Sequence, residues 1–404
     1  MKLTPRSKVL IATFSPWKNG RRLPINGNVE PMLDFFTPRV SKTALIDQVY
    51  PESDFLMPRT EIYKGQKLIK KENASWYLYF LYPFLKIANS NSTHIAFKLR
   101  DLLSVIDVGL RHSNWDYFIG FEAVNALGGI LLKKIGKVGK VVYYVSDYSP
   151  QRYSNKWFNR LYLWLDRYAA KNSDVIWDVS PAMQPARMNA GLLKEESAPI
   201  LIVPNALYPQ QIKFEPFSKI DPQSIVFMGT LGAENGPDLA IESLPLVLKK
   251  YPNVLLHIVG GGREEDLRKL AHRLRVEKSI VFHGFIADRE EVSKTIRKFM
   301  IGLAPYINFE GSPRLYGDAT KIRAYMAAGL PVITTTVPPL GREVLKKGAG
   351  IVVNDKKEEI AGAIISLLKD KNRYAQMRKC AIKFAKNNTW DNEYRSAFKK
   401  MELL

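Results

Sequence analysis

The chain has 404 residues, enough for two or three domains at roughly 100–200 residues each. Apolar residues make up 46% and charged residues 25%, which excludes disorder as the dominant state. The net charge is +21, so an anionic partner is expected, and the one cysteine, Cys380, excludes a disulfide framework and points to a reducing compartment.

Elements follow in chain order. Lys8–Phe14 (KVLIATF) is a short apolar run with a turn-rich sequel, which predicts a buried parallel strand. Its apolar part is too short for a signal-peptide core. Lys64, Lys67, Lys70 and Lys71 then precede Trp76, Tyr77, Tyr79, Phe80, Tyr82 and Phe84. Lysines beside a belt of rings suit an anionic membrane surface. The competing reading is a solvated helix running into a core helix. With Lys18, the four lysines and Trp76 form the candidate acceptor or membrane set. The apolar stretch Ala74–Leu85 has 12 residues and contains Pro83. A spanning helix needs about 20, so we expect a chain that lies on a bilayer at most.

Asp116–Phe121, Lys140–Val145, Asp174–Val179 and Ile200–Val203 read as further strands. Between them Asn155–Lys171 reads as a helix, with apolar positions at Trp157, Leu161, Trp164, Leu165 and Tyr168. Tyr208–Pro222 carries three prolines without periodicity and reads as a linker. Alternation then restarts with strands at Ser224–Met228, Val254–Val259, Ile280–His283, Ile301–Ala304 and Pro331–Thr334. Helices are expected at Pro237–Lys250, Glu264–Arg275 and Thr320–Ala328.

Strands spaced by helices mean parallel sheets covered on both faces. The expected fold is therefore α/β, with two doubly wound Rossmann-like domains facing across a cleft. Ligands in such sheets lie beyond the carboxyl ends of the strands. We expect the first domain over residues 1–207 and the second over 208–386. A C-terminal helix over 387–404, with Trp390, Tyr394 and Phe398 four apart, is expected to pack back on the first domain.

The richest stretch is Gly317–Thr335 (GDATKIRAYMAAGLPVITT). Asp318 or Thr320 could cap the helix that follows, and a lysine in a helix's first turn makes an anion site. The competing reading is an ordinary helix between two strands. Thr320, Lys321, Tyr325, Met326, Ala327, Gly329, Pro331, Val332 and Ile333 resemble the signature of GT-B glycosyltransferases of family 4, the glycosyl transferases group 1. Phe227–Leu231 with Gly236 and Asp238, His257–Gly262, Val281–Phe285 and Val203–Asn205 resemble other parts of that family. The resemblance runs from about Val203 to Leu368; over residues 1–202 only the architecture matches.

What the resemblance implies is a donor domain in the second half and an acceptor domain in the first. It assigns Gly229, Thr230, Gly260, Gly284, Phe285, Glu310, Arg314, Asp318, Thr320 and Arg323 to a nucleotide-sugar donor, UDP- or GDP-linked. It makes Lys321 and Asp147 the catalytic candidates and leans towards retention of anomeric configuration. The sequence also departs from the pattern. Ala324 and Tyr316 stand where the family has its paired glutamates. Thr230 and Asn235 stand for a phosphate-binding Arg and Lys, and Ser146 for a histidine.

Asp147 follows a buried strand, where active-site residues collect. It reads either as a carboxylate facing the cleft or as a turn or cap residue; as a general base it would support inversion. Gly260–Gly262 is not G-x-G-x-x-G, which disfavours a nicotinamide enzyme. The five histidines show no ligand spacing and no D-x-D occurs, so no metal and no cofactor are expected. The basic excess is shared evenly between the halves and no nucleic-acid motif appears, so nucleic acid is not an expected partner.

The sequence thus points to a metal-independent glycosyltransferase acting on a lipid-linked or polysaccharide acceptor in cell-envelope glycan synthesis. It would be cytoplasmic and peripheral on the inner face of the plasma membrane. A nucleotide-sugar epimerase of the same fold and an inactive nucleotide-sugar-binding protein are the alternatives.

Overall fold

The computed structural model describes residues 2–23, 28–87, 95–112, 114–309 and 311–403. The chain forms two compact units, Met1–Val203 with Tyr394–Leu404, and Pro204–Glu393.

The first unit opens with β1 (Lys8–Ser15), a small hairpin of β2 (Trp17–Lys18) and β3 (Arg21–Arg22), and α1 (Val29–Phe36). β4 (Lys42–Val49), β5 (Arg59–Lys64) and β6 (Lys67–Asn73) follow, then a 3-10 turn at Trp76–Leu81 and α2 (Tyr82–Ile87). α3 (Ile95–Arg111), β7 (Trp115–Phe121), α4 (Glu122–Lys134), β8 (Val138–Val145), α5 (Lys156–Asn172), β9 (Val175–Asp178), α6 (Met183–Asn189) and β10 (Ile200–Ile202) complete it. The sheet order is β10-β9-β8-β7-β1-β4-β5-β6. Val9, Leu10, Ile11 and Ala12 are all buried, as a strand covered on both faces requires. α3 packs on α4, α4 on α5, and the Trp76–Leu81 turn on α3.

This sheet is mixed rather than parallel throughout. β4 runs parallel to β1, but β5 is antiparallel to β4 and β6 antiparallel to β5. Lys64, Lys67, Lys70 and Lys71 thus lie on a β-hairpin and not on a helix. β6 carries almost no buried residue, and its lysines are what an open edge needs to repel a second strand. The aromatic stretch after it is a 3-10 turn leading into a short helix, which bury Leu78, Leu81 and Leu85 and leave Trp76, Phe80 and Phe84 exposed.

The second unit contains β11 (Ser224–Met228), α7 (Pro237–Leu248), β12 (Leu255–Val259), α8 (Glu264–Arg273), β13 (Ile280–Gly284), α9 (Arg289–Ile296) and β14 (Ile301–Ala304). α10 (Thr320–Ala327), β15 (Val332–Thr335), α11 (Leu340–Lys346), β16 (Gly350–Val353), α12 (Lys357–Lys369) and α13 (Lys371–Asn387) follow. Its six strands are all parallel, in the order β13-β12-β11-β14-β15-β16. Alternate residues of β11 feed two cores: Ile225 and Phe227 one, Val226 the other. Residues 208–222 form no strand or α-helix, only 3-10 turns at Pro209–Gln211 and Phe217–Lys219. α10 ends on Gly329 at φ 77°, with Leu330 N–H bonded to Tyr325 O and Gly329 N–H to Met326 O. A side chain there would strike Phe214 and Arg378.

α14 (Trp390–Met401) is the last element, and from Tyr394 on its residues belong to the first unit. Phe35 meets Tyr394 at 5.2 Å and Phe398 at 6.0 Å, and Trp177 stacks on Tyr394 at 6.0 Å. Aromatic burial of this kind ties the helix down. No helix among the described residues is long and apolar enough to cross a membrane.

Candidate functional site

In the second unit the loops after β11, β12 and β13 are glycines pressed together. Gly260 N–H donates to Gly284 O at 2.8 Å, and Gly229 N–H to Val259 O at 2.9 Å. Gly229 has φ 132° and Gly260 φ 154°, and a Cβ on Gly260 would stand 1.8 Å from Gly229 O. Only glycine permits that approach. The exposed ring of Phe285 sits beside Gly261.

Lys321 stands over this platform from the first turn of α10. A Cβ on Gly229 would lie 3.2 Å from its Nζ. The helix is pinned by Tyr325, whose hydroxyl accepts from Met228 N–H at 2.6 Å and donates to Leu303 O at 3.0 Å. Lys321 is 9% exposed, and its amine rests over the rings of Phe227 at 4.3 Å and Tyr306 at 4.8 Å. The amine makes no hydrogen bond among the described residues. Burial, and next the charge of Arg314, push its pKa down from 10.5 to about 7, with Glu234 opposing. A buried amine without an acceptor is costly and uncommon.

The other donor candidates divide. Gly229, Gly260, Gly284, Phe285 and Lys321 come together, with Arg314 close enough to act on Lys321 electrostatically. Thr230 and Asn235 bond each other, Asn235 Nδ2 donating to Thr230 Oγ1 at 2.7 Å. Thr320 is exposed at the helix start. Asp318 and Arg323 are turned elsewhere. Asp318 does not cap α10, whose N-cap is Ala319 without a side-chain bond; it takes a bidentate pair from Arg323 at 2.9 Å and the Asn205 N–H at 2.9 Å. Arg323 also donates to Asn388 Oδ1 at 2.6 Å, so these two residues tie the start of the unit to the end of α13. Glu310 lies outside the described residues.

The first unit has its own cluster at the carboxyl ends of β7 and β8. Asp147 is not the cap of α5, which is Asn155, accepting from Phe158 N–H at 3.0 Å. Its side chain is 56% exposed and lies 3.3 Å from Arg152 Nη1, which also donates to the Asp147 carbonyl. Behind it stands Glu122, which sequence reasoning missed. Glu122 accepts from Ser146 Oγ at 3.0 Å and lies 3.9 Å from Arg152. It opens α4 at φ 64°, a left-handed conformation costly for a glutamate. Burial pushes its carboxyl pKa up, against the pull of Arg152. The signal was available: Glu122 ends a buried parallel strand, as Asp147 does.

The basic set is dispersed. Lys18 is on the β2–β3 hairpin, while Arg22 of the same hairpin pairs with buried Asp47 at 2.8 Å and Glu61 at 3.1 Å. Lys70 pairs with Glu72 at 2.8 Å and Lys71 approaches Glu61 at 4.0 Å. Trp76 is exposed. Among the described residues no three His, Cys, Asp or Glu side chains gather as metal ligands.

Residues 222–370 match the family model described as glycosyl transferases group 1. An uncharacterized glycosyltransferase of Haemophilus influenzae is 28% identical over 177 residues, 43% of this chain and 46% of that protein. The GDP-mannose-dependent alpha-(1-6)-phosphatidylinositol monomannoside mannosyltransferase of Mycobacterium tuberculosis is 27% identical over 161 residues, 38% of this chain and 40% of that one. The chain spans about half the length of the curated relatives it matches. Among solved structures, Anabaena HepE in complex with UDP superposes with a TM-score of 0.67 and 16% identity, covering 98% of this chain and 100% of that one. The fold is GT-B, two Rossmann-like halves in one chain.

Proposed function

We propose that the protein is a glycosyltransferase that moves a sugar from a UDP- or GDP-linked donor to a lipid-linked or polysaccharide acceptor of the cell envelope. The observation that carries this reading is the unpartnered amine of Lys321 above the Gly229–Gly260 platform. A diphosphate supplies the acceptors that the amine lacks, and glycines let its oxygens come close to backbone. Lys321, with Arg314 nearby, then stabilises the charge that develops on the leaving diphosphate without a metal. The second unit takes the donor, and the cluster of Glu122, Ser146, Asp147 and Arg152 orients the acceptor hydroxyl in the first. Transfer is retaining, a reading supported by the family resemblance, so these carboxyls position rather than deprotonate. Gly284 and Phe285 border the nucleotide.

The protein works in the cytoplasm, docked on the inner face of the plasma membrane through Trp76, Phe80 and Phe84 with Lys18, Lys64, Lys67, Lys70 and Lys71. Rings at an interface beside lysines fit an anionic leaflet. The similarity to a phosphatidylinositol monomannoside mannosyltransferase supports a lipid-borne acceptor.

The test is thermal-shift screening against UDP- and GDP-sugars with and without EDTA, followed by product analysis with an acceptor. Stabilisation by one nucleotide sugar, undiminished by EDTA, is expected, together with an acceptor-dependent product of retained configuration. A donor changed without acceptor would make the protein an epimerase, and a donor bound but unchanged a binding protein.

A further inference from the structure

Helix α5 is oriented against its own periodicity. Trp157, Leu161, Trp164 and Tyr168 recur three and four apart, the pattern that ordinarily faces a core. Here the core takes Asp166, Ala169 and Ala170 instead. Trp157 is 78% exposed, Trp164 52% and Leu161 40%. Ile135, just past the end of α4, is also exposed.

Cations frame this stripe. The Arg160 guanidinium lies 5.2 Å over the Trp157 ring. Lys134 lies 5.6 Å over Tyr168 and donates to its hydroxyl at 2.9 Å, while Trp164 stacks on Tyr168 at 5.8 Å. The one acid of α5, Asp166, is buried and taken by Arg187 at 3.0 Å. Lys171 pairs with Glu196 and Lys133 with Asp174. Lys134, Lys156 and Arg160 have no carboxylate partner among the described residues.

We infer that the exposed stripe of α5 is a second membrane contact, seated on an anionic bilayer and set apart from the Trp76–Phe84 patch by α3 and α4. This rests on the membrane part of the proposed function. Three observations select a bilayer. Trp and Tyr flanked by Lys and Arg are the residues of the headgroup boundary, with rings among acyl chains and cations at phosphates. A second copy of the chain on this face would oppose like charges, since a two-fold contact brings each patch against itself. Finally, the Trp76–Leu81 turn packs on α3 and α5 on α4, so both aromatic patches belong to one continuous helical layer. Two separated contacts fix an orientation that one cannot, and each makes the other's binding effectively intramolecular.

The experiment is co-sedimentation of the full chain with vesicles of phosphatidylcholine alone or mixed with phosphatidylglycerol. Wild type should bind the mixed vesicles and release in salt. W157A/W164A should lower the partition coefficient at least about tenfold, and K156E/R160E should do the same while flattening the salt dependence. Neither should change nucleotide binding. If wild type binds, W76A/F80A weakens it and both α5 variants bind as wild type does, the inference is overturned and the membrane reading stands. If wild type ignores vesicles, both fall. A concentration-dependent dimer that W157A/W164A abolishes would replace the bilayer by a second copy.

Discussion

In the second unit the carboxyl ends of β11 and β12 carry glycines, and over them stands one buried amine with no hydrogen-bond acceptor among the described residues. In the first unit the ends of β7 and β8 carry two carboxyls, a hydroxyl and a guanidinium that satisfy one another. The same layered sheet thus prepares two kinds of site at the same topological place. An unmet charge is a standing cost that an anion removes, so it suits a diphosphate. A self-paired cluster exchanges hydrogen bonds with hydroxyl groups at little electrostatic cost, so it suits a sugar or polyol.

The largest expected effect tests the unmet charge directly. Lys321→Met should weaken nucleoside-diphosphate binding about tenfold to a hundredfold, since charge-assisted bonds to phosphate contribute about 1.5–3 kcal/mol. The same change should raise the stability of the ligand-free protein, because it removes a buried, unpartnered amine. Calorimetric titration with UDP and GDP, beside a melting curve, reads both. Affinity and stability moving together would break the contrast between the two sites.

Glu122 tests the other site through its backbone. Left-handed φ in a glutamate costs on the order of 1–3 kcal/mol, and glycine relieves it, less about 0.5–1 kcal/mol of chain entropy. Glu122→Gly should therefore melt no lower than wild type, and be up to about 2.5 kcal/mol more stable. Turnover should fall about tenfold to a hundredfold as Ser146 and Arg152 lose their anchor. A clear loss of stability with full turnover would make Glu122 a structural residue only.

The next effect is one of pH. The Lys321 amine titrates at about 7 folded, against 10.5 for the free group. Between these values the unfolded chain holds the extra proton, so ligand-free stability should rise with pH across that window. Below pH 7 both states are charged and the burial penalty is fully present. Donor binding favours the charged amine, so above pH 7 it takes up a proton. The dissociation constant should then rise by up to about tenfold per pH unit, and Lys321→Arg, charged throughout, should abolish that slope. An unchanged slope in the arginine variant would assign the proton elsewhere.

The contrast was half legible in the sequence. The second unit was readable because most of its strands are short, largely apolar runs that lead into glycine or proline. Lys321 stood out through the Thr320–Gly329 stretch, but its isolation depends on Phe227 and Tyr306, both far from it in the chain. β5 and β6 escaped because hairpin strands with lysines on an edge look like solvated segments. Asp318 and Arg323 looked like ligand residues because local spacing cannot reveal Asn205 and Asn388 as their partners. The stripe of α5 was visible as a period, but a period does not say which way it faces. Glu122 was hidden as one more glutamate at a helix start.

Asp147 carries the smallest expected effect, and the first site is resolved most finely by it. Its carboxylate is more than half exposed, and water already screens its pairing with Arg152. Asp147→Asn keeps the shape and an acceptor oxygen but removes charge and basicity. A general base at this point would lose about 10²–10⁴-fold in turnover. A positioning carboxylate can be replaced in part by the amide, and Arg152 would still have Glu122 at 3.9 Å to hold it. We therefore expect turnover to fall less than about tenfold, with donor affinity and melting temperature unchanged. That outcome fits retention, where no base need activate the acceptor in a single displacement. A loss of a hundredfold or more, accompanied by an inverted product, would make Asp147 the base and leave Glu122 and Arg152 to hold it in place.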